Sequence, residues 1–173
     1  MSSLYVVATP IGNLADLSPR ARDILSTVPT VVAEDTRVTR KLLSYINASP
    51  LLISHHLHSD ESSIERVLTA LESGDAALVT DAGSPAISDP GSSLVRSVVE
   101  RGHDAITIPG PSSVIAALSV SGFEADNFSF GGFVPRNGTE REAALGELDR
   151  HTAQKLALKR EVERVQERMD GVP

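Results

Sequence analysis

The chain has no cysteine and no tryptophan, and aromatic residues make up only 3% of its 173 residues. Without thiols there can be no disulfide and no thiolate metal site. Long apolar runs are missing as well: none approaches the roughly 20 residues needed to cross a bilayer. The opening residues, Met1 to Tyr5, show no basic segment followed by a long apolar one. No signal peptide is therefore expected, and cytoplasm is the default location. An excess of positive charge is also lacking. The net charge is −7, and the last twenty residues hold five Lys/Arg against four Asp/Glu, so the acidic excess lies in the body of the chain. That argues against a broad basic face for nucleic acid and leaves room only for a local patch. No tandem repeat or low-complexity segment occurs.

The length fits one full domain, or one domain plus part of another, and allows a real core. A hydrophobic content of 40% is ordinary for a water-soluble fold. The stretch that organises the chain is Thr80-Asp81-Ala82-Gly83-Ser84-Pro85-Ala86-Ile87-Ser88-Asp89-Pro90-Gly91. An apolar run, Ala76 to Val79, leads in, and a helical pattern, Ser92 to Glu100, leads out. Small residues between a strand and a helix let a ligand approach main-chain groups closely. The stretch lacks the Gly-Lys-Ser/Thr ending of a phosphate loop and does not match the dinucleotide fingerprint.

Around it, strands and helices alternate. Strands are expected at Leu4–Ala8, Thr30–Ala33, Leu51–Ile53, Ala76–Val79 and Ala105–Ile108. Ser18 and Pro19 read as the cap and first residue of a helix whose apolar face is Ala21, Ile24, Leu25 and Val28. Thr36 is expected to cap a helix running to about Tyr45. Ser59 or Asp60 should open a helix with Ile64, Val67, Leu68 and Leu71 inward. Leu94, Val95, Val98 and Val99 form the next buried face. The helix Val114 to Val120 is almost wholly apolar and is expected to be buried. Five βα units imply a three-layer, mostly parallel α/β sheet with right-handed crossovers. Four special loops, Thr9–Asn13, Glu34–Arg37, Asp81–Gly91 and Pro109–Ser113, then fall at carboxyl ends of strands and converge on one crevice.

Two loops carry chemistry on more than one reading. Glu34, Asp35 and Arg37 suit a hydroxylated or phosphorylated substrate, and equally suit capping with a local ion pair. His55, His56 and His58 crowd one loop too tightly for a tetrahedral ion and have no partner ligands, so a solvated or substrate-facing loop is expected and no metal. All four phenylalanines come after Gly122. Asn127–Phe133 reads as a strand, and Thr139 as the cap of a helix through Arg150. From Gln154 to Asp170 a charged helical run carries Leu158, Val162, Val165 and Met169 on one stripe. The domains are expected to be 1–122 and 123–173.

Five ordered segments, Leu4 to Leu14, Glu34 to Arg37, Asp81 to Gly91, Pro109 to Ser112 and Gly132 to Arg136, resemble the bacterial small-subunit ribosomal RNA methyltransferases of the tetrapyrrole methylase superfamily. The resemblance covers residues 4 to about 150. It implies two α/β domains with S-adenosyl-L-methionine in the cleft between them, and 2′-O-methylation of a cytidine in the small-subunit RNA. It implies Pro10, Asp81, Ala82, Gly83, Ser84, Ile87 and Ser88 as cofactor-site residues. The family more often has Thr where this chain has Ser84, and either supplies a hydroxyl. After His151 and Thr152 an apolar strand would be expected; a charged helix stands there instead, so the second domain is expected to be incomplete.

Methyl transfer from a sulfonium is an in-line displacement that depends on positioning. A ribose hydroxyl is a poor nucleophile and gains from a base. Asp35 and Asp89 are the carboxylates best placed to serve, with Arg37 orienting Asp35 or pairing with phosphate. Glu34 and Arg136 are assigned to the RNA. The expected partners are small-subunit RNA or the assembled subunit, and a second copy of the chain, since an unpaired strand edge favours association. A tetrapyrrole methyltransferase and a non-catalytic ligand-binding or interaction remnant are the competing readings.

Overall fold

The computed structural model describes residues 2–56, 61–135 and 137–150. The expected charged helix, Arg136, His58 and the helix start at Ser59 or Asp60 lie outside those residues. The chain divides into two compact units, Met1–Phe130 and Gly131–Pro173.

The first unit is a five-stranded sheet with helices on both faces. Its strands are β1 (Ser3–Val7), β2 (Thr30–Ala33), β3 (Leu51–Ser54), β4 (Ala76–Val79) and β5 (Asp104–Ile108). Its helices are α1 (Pro19–Thr27), α2 (Thr36–Tyr45), α3 (Glu61–Ser73), α4 (Ser92–Glu100) and α5 (Ser113–Val120), with a short 3-10 turn at Leu14–Asp16. The sheet order is β3-β2-β4-β1-β5, and every pairing is parallel. The two strands without a polar side chain beyond Thr30, β2 and β4, are buried at every residue. A parallel strand covered on both faces has no solvent side, so its sequence is a continuous apolar run.

The period of two along each strand sorts the side chains into two layers. Val7, Val31, Ala33, Ala77, Val79 and Ile108 pack with Ala21 and Leu25 of α1 and Leu42 and Leu43 of α2. Leu4, Val32, Ile53, Ala76 and Leu78 pack with Val67, Leu68 and Leu71 of α3 and Leu94 and Val98 of α4. Thus α1 and α2 cover one face, and α3 and α4 the other. The chain leaves β1 and β2 toward one face and leaves β4 between them toward the opposite face. The loops after these neighbours therefore part, and a crevice opens at the carboxyl end of β4.

Several expectations change. Asp35, not Thr36, caps α2: its carboxylate accepts from the Arg37 N–H, and Thr36 is the first helical residue. Val99 is exposed; Leu94 and Val98 of α4 are buried in the core and Val95 packs against it partly buried. Helix α5 buries none of its residues; Ile115 and Val120 are exposed. Its apolar sequence is uniform around the axis, and no layer of the described residues covers it. Asn127–Phe133 is not a strand. It has no ladder partner among the described residues, it crosses from one compact unit into the other, and Gly132 turns into the left-handed region at φ 86°. In the second unit a helix, α6, spans 138–150, starting one residue before Thr139.

Candidate functional site

Three loops at the carboxyl edge are knitted together by main-chain and carboxylate bonds. After β1, the Thr9 N–H donates to the Gly83 carbonyl at 2.9 Å and the Gly83 N–H donates back at 3.1 Å. The Thr9 hydroxyl donates to the Thr80 carbonyl at 3.1 Å. After β2, the Asp35 N–H donates to Asp81 Oδ1 at 3.2 Å, and the Asp81 N–H donates to Glu34 Oε2 at 3.4 Å. The β4 loop is thus braced on both sides, by β1 through Thr9 and by β2 through a reciprocal pair. The fourth loop approaches from β5. A Cβ on Gly110 would stand 3.1 Å from Ala8 Cβ and 3.3 Å from its carbonyl oxygen, so only glycine lets the two loops lie this close.

The β4 loop folds so that its stiff residues face in. Gly83, Pro85 and Gly91 are buried, whereas Asp81, Ala82, Ile87 and Ser88 are exposed. Two non-glycine residues, Ala86 (φ 66°) and Ser88 (φ 55°), hold left-handed backbone. Such conformations cost about 1–3 kcal/mol each and persist where the surroundings impose them, which is common at ligand sites.

Four carboxylates meet at this edge. Burial raises the proton affinity of Glu34; the Asp81 N–H offsets part of that, and the charges of Asp81, Asp89 and Asp35 add to it. Asp89 is likewise raised, first by burial and then by Asp81. The Thr80 hydroxyl is near enough to favour the Asp89 anion, although it closes no well-formed hydrogen bond. Asp35 behaves oppositely. Hydrogen bonds from the Arg37 side chain and N–H pull it down to about 2. The Arg37 guanidinium reaches Asp35 Oδ2 at 2.6 Å and is otherwise open to solvent.

Of the residues expected at the site, Pro10, Glu34, Asp35, Arg37, Asp81, Ala82, Gly83, Ser84, Ile87, Ser88 and Asp89 all lie on these loops. Sequence reasoning missed a cavity beside these loops. A cavity of about 280 Å³ is lined by Thr9, Pro10, Leu14, Val38, Thr39, Lys41, Leu42, Thr80 and Asp81. Thr39 falls one helical turn after Asp35, on the inward side of α2; that spacing was the available signal.

His55 is not on a solvated loop. It is 3% exposed at the end of β3, and its N–H donates to the Ala33 carbonyl. Its Nδ1 lies 3.1 Å from Ser63 Oγ, which itself donates to the Ser54 carbonyl. Burial, with the neighbouring His56, lowers the His55 proton affinity. Among the described residues, no group of three side chains is placed to hold a metal ion.

A model of the tetrapyrrole (corrin/porphyrin) methylases matches residues 3–169. The chain belongs to this family. Similar curated proteins are named "Ribosomal RNA small subunit methyltransferase I". The one from Xylella fastidiosa (strain Temecula1) is 50% identical over 147 residues, 84% of this chain and 54% of that protein. Those from Vibrio cholerae and Escherichia coli O157:H7 are 44% and 42% identical, each across 84% of this chain and 51% of the relative. The chain therefore spans about half the length of the curated relatives it matches. Among solved structures, uroporphyrin III C-methyltransferase from Thermus thermophilus superposes with a TM-score of 0.54 at 18% identity, over 68% of this chain and 52% of that one. That likeness shows a shared α/β fold over the part that superposes.

Proposed function

We propose that this chain carries one wall of an S-adenosyl-L-methionine site and serves methylation of a cytidine 2′-hydroxyl in small-subunit ribosomal RNA. The braced β4 loop carries the reading: small, exposed residues with left-handed backbone, facing a carboxylate cluster at the switch point of a methylase sheet. The names of relatives at 42–50% identity favour ribosomal RNA as the acceptor. The likeness to a uroporphyrin enzyme rests on fold alone.

The residues present suit the cofactor. Ala82, Gly83, Ser84 and Ser88 keep the loop surface low, Ile87 offers an exposed apolar contact, and Pro10 faces the same edge. Asp81 and its neighbours complement a cationic sulfonium. When bound, the cofactor supplies an electrophilic methyl group on that sulfonium. The acceptor hydroxyl must lose a proton as its oxygen is methylated. Asp89 and Glu34, with proton affinity raised by burial, are better bases for it than Asp35, whose affinity the Arg37 pair depresses. Asp35 and Arg37 instead fix the start of α2, and the outer face of Arg37 is open to an RNA phosphate. A second copy of the chain completes the assembly, covering the exposed α5 residues Ile115 and Val120 and the nearby Phe123. Light scattering at micromolar concentration should give twice the chain mass; a monomer there sinks the dimer.

Titration calorimetry with S-adenosyl-L-methionine is the direct test of the site. Heat that disappears in Asp81→Ala is expected, and silence at millimolar cofactor would overturn the reading. Transfer of labelled methyl to small ribosomal subunits, and not to a uroporphyrinogen, tests the acceptor.

A further inference from the structure

The cavity beside the crevice has features that cofactor binding does not use. It lies between the end of β1, the first turns of α2 and the end of β4. It shares Pro10 and Asp81 with the proposed cofactor residues, but none of Ala82, Gly83, Ser84, Ile87 or Ser88 lines it. It opens beside that surface and meets it at Pro10 and Asp81. Its volume, about 280 Å³, falls just below the roughly 300–1,000 Å³ of pockets that take whole drug-sized ligands. A single-ring base fits within that space.

The lining has the chemistry of a slot for a flat polar ring. Pro10, Leu14, Val38 and Leu42 supply apolar walls. Within them Thr39, only 3% exposed, has a hydroxyl with no hydrogen-bond partner among the described residues. A buried hydroxyl left unmet costs about 1–3 kcal/mol, and a ligand that meets it recovers that loss. The Thr9 hydroxyl is already committed to the Thr80 carbonyl, and the equally unmet Thr80 hydroxyl lies toward Asp89, which leaves Thr39 as the donor on the α2 side of the cavity. Asp81 places a carboxylate at one end, held by the Asp35 N–H. The exposed Lys41 stands among the lining residues, with its positive charge available to a phosphate.

We infer that this cavity receives the base of the acceptor nucleotide, a cytosine turned out of its stack, and that Asp81 and Thr39 read its edge. The inference rests on the ribosomal RNA reading above. An extruded base is recognised by apolar contact on its faces and hydrogen bonds along its pairing edge. Cytosine offers an exocyclic amino donor, matched to a carboxylate, and ring acceptors, matched to a hydroxyl. Uracil would turn a carbonyl oxygen toward Asp81, and the slot rejects it. Seating the base there brings its ribose to the edge where Glu34, Asp89 and the cofactor surface meet.

The test compares cytidine 5′-monophosphate with uridine 5′-monophosphate by NMR titration of the full chain. Cytidine monophosphate should shift the amides of Thr9, Thr39 and Thr80 and bind at least about tenfold more tightly than the uridine compound. Thr39→Val keeps the side chain's shape and removes the hydroxyl. It should raise the melting temperature, because an unmet buried hydroxyl is gone, while weakening cytidine monophosphate roughly tenfold. Equal affinity for the two nucleotides overturns the inference, as do shifts confined to other residues. So does a Thr39→Val protein that melts lower or binds unchanged. Calorimetry with S-adenosyl-L-methionine on the same samples separates the two readings. Cofactor heat without these shifts removes the base slot alone; the shifts without cofactor heat remove the cofactor site and leave the slot standing.

Discussion

Asp35 and His55 show how a titratable residue takes its role from its neighbours. Asp35 sits beside a guanidinium and at a helix start, and both favour its anion. Its carboxyl should titrate near pH 2 by carbon-detected NMR, and Arg37→Ala should return it toward 3.8. Because the folded value is depressed, the pair stabilises the protein above the unfolded value, and that contribution is lost as pH falls toward 2. His55 has the opposite chemistry. Its neutral form is favoured in the fold, so its contribution is intact above pH 6.5 and declines as pH drops below 6.5, where the unfolded chain takes up the proton first. Melting temperatures between pH 7.5 and 5 should fall, and His55→Gln should flatten that slope. That Glu34, Asp35, Asp81 and Asp89 fall on the loops that follow apolar strands was legible in the chain. Their differing proton affinities were not. Those depend on the Asp81 N–H reaching Glu34 and on Arg37 folding back onto Asp35, contacts that no spacing specifies.

Among the elements, local signals worked where the chain itself supplies the partners. Ser18 Oγ accepts from the Ala21 N–H at 3.1 Å, and Pro19 begins α1, as the sequence reads. Ser18→Ala should cost about 1 kcal/mol in urea denaturation, with an unchanged slope against denaturant. A loss below a few tenths of a kcal/mol would show that the cap is not used. Strands β2 and β4 were readable from their apolar runs because the surrounding layers make such runs necessary. Signals failed where the partner is distant or lacking. Helix α5 has a core-like sequence and no layer of the described residues above it. Asn127–Phe133 has the residues of a strand, but no described strand lies beside it to accept its hydrogen bonds. Strand propensity describes fit to a pleated neighbour, so it misleads when there is none.

The first unit as a whole is built outward from β4. With β2 on one side and β1 on the other, this strand is buried at all four residues. Hydrogen exchange should therefore be slowest in β2 and β4 and distinctly faster in β5, whose Asp104 and Ala105 are exposed; uniform protection across the sheet would contradict this layering. The alternation of strands and helices, the parallel class and the four special loops follow from the amino-acid order alone, because hydrophobic period and turn chemistry are local properties. The strand order β3-β2-β4-β1-β5 is not local. It decides which loops become neighbours, and so makes Thr9 bridge Gly83 and Asp81 brace Glu34 and Asp35. The cavity behind them also comes from this order, since Thr39 belongs to α2 and meets Thr9 and Thr80 only once β1, β2 and β4 lie side by side. The chain writes out the loops of the crevice; long-range packing decides which of them touch and leaves Thr39 a buried hydroxyl without a partner among the described residues.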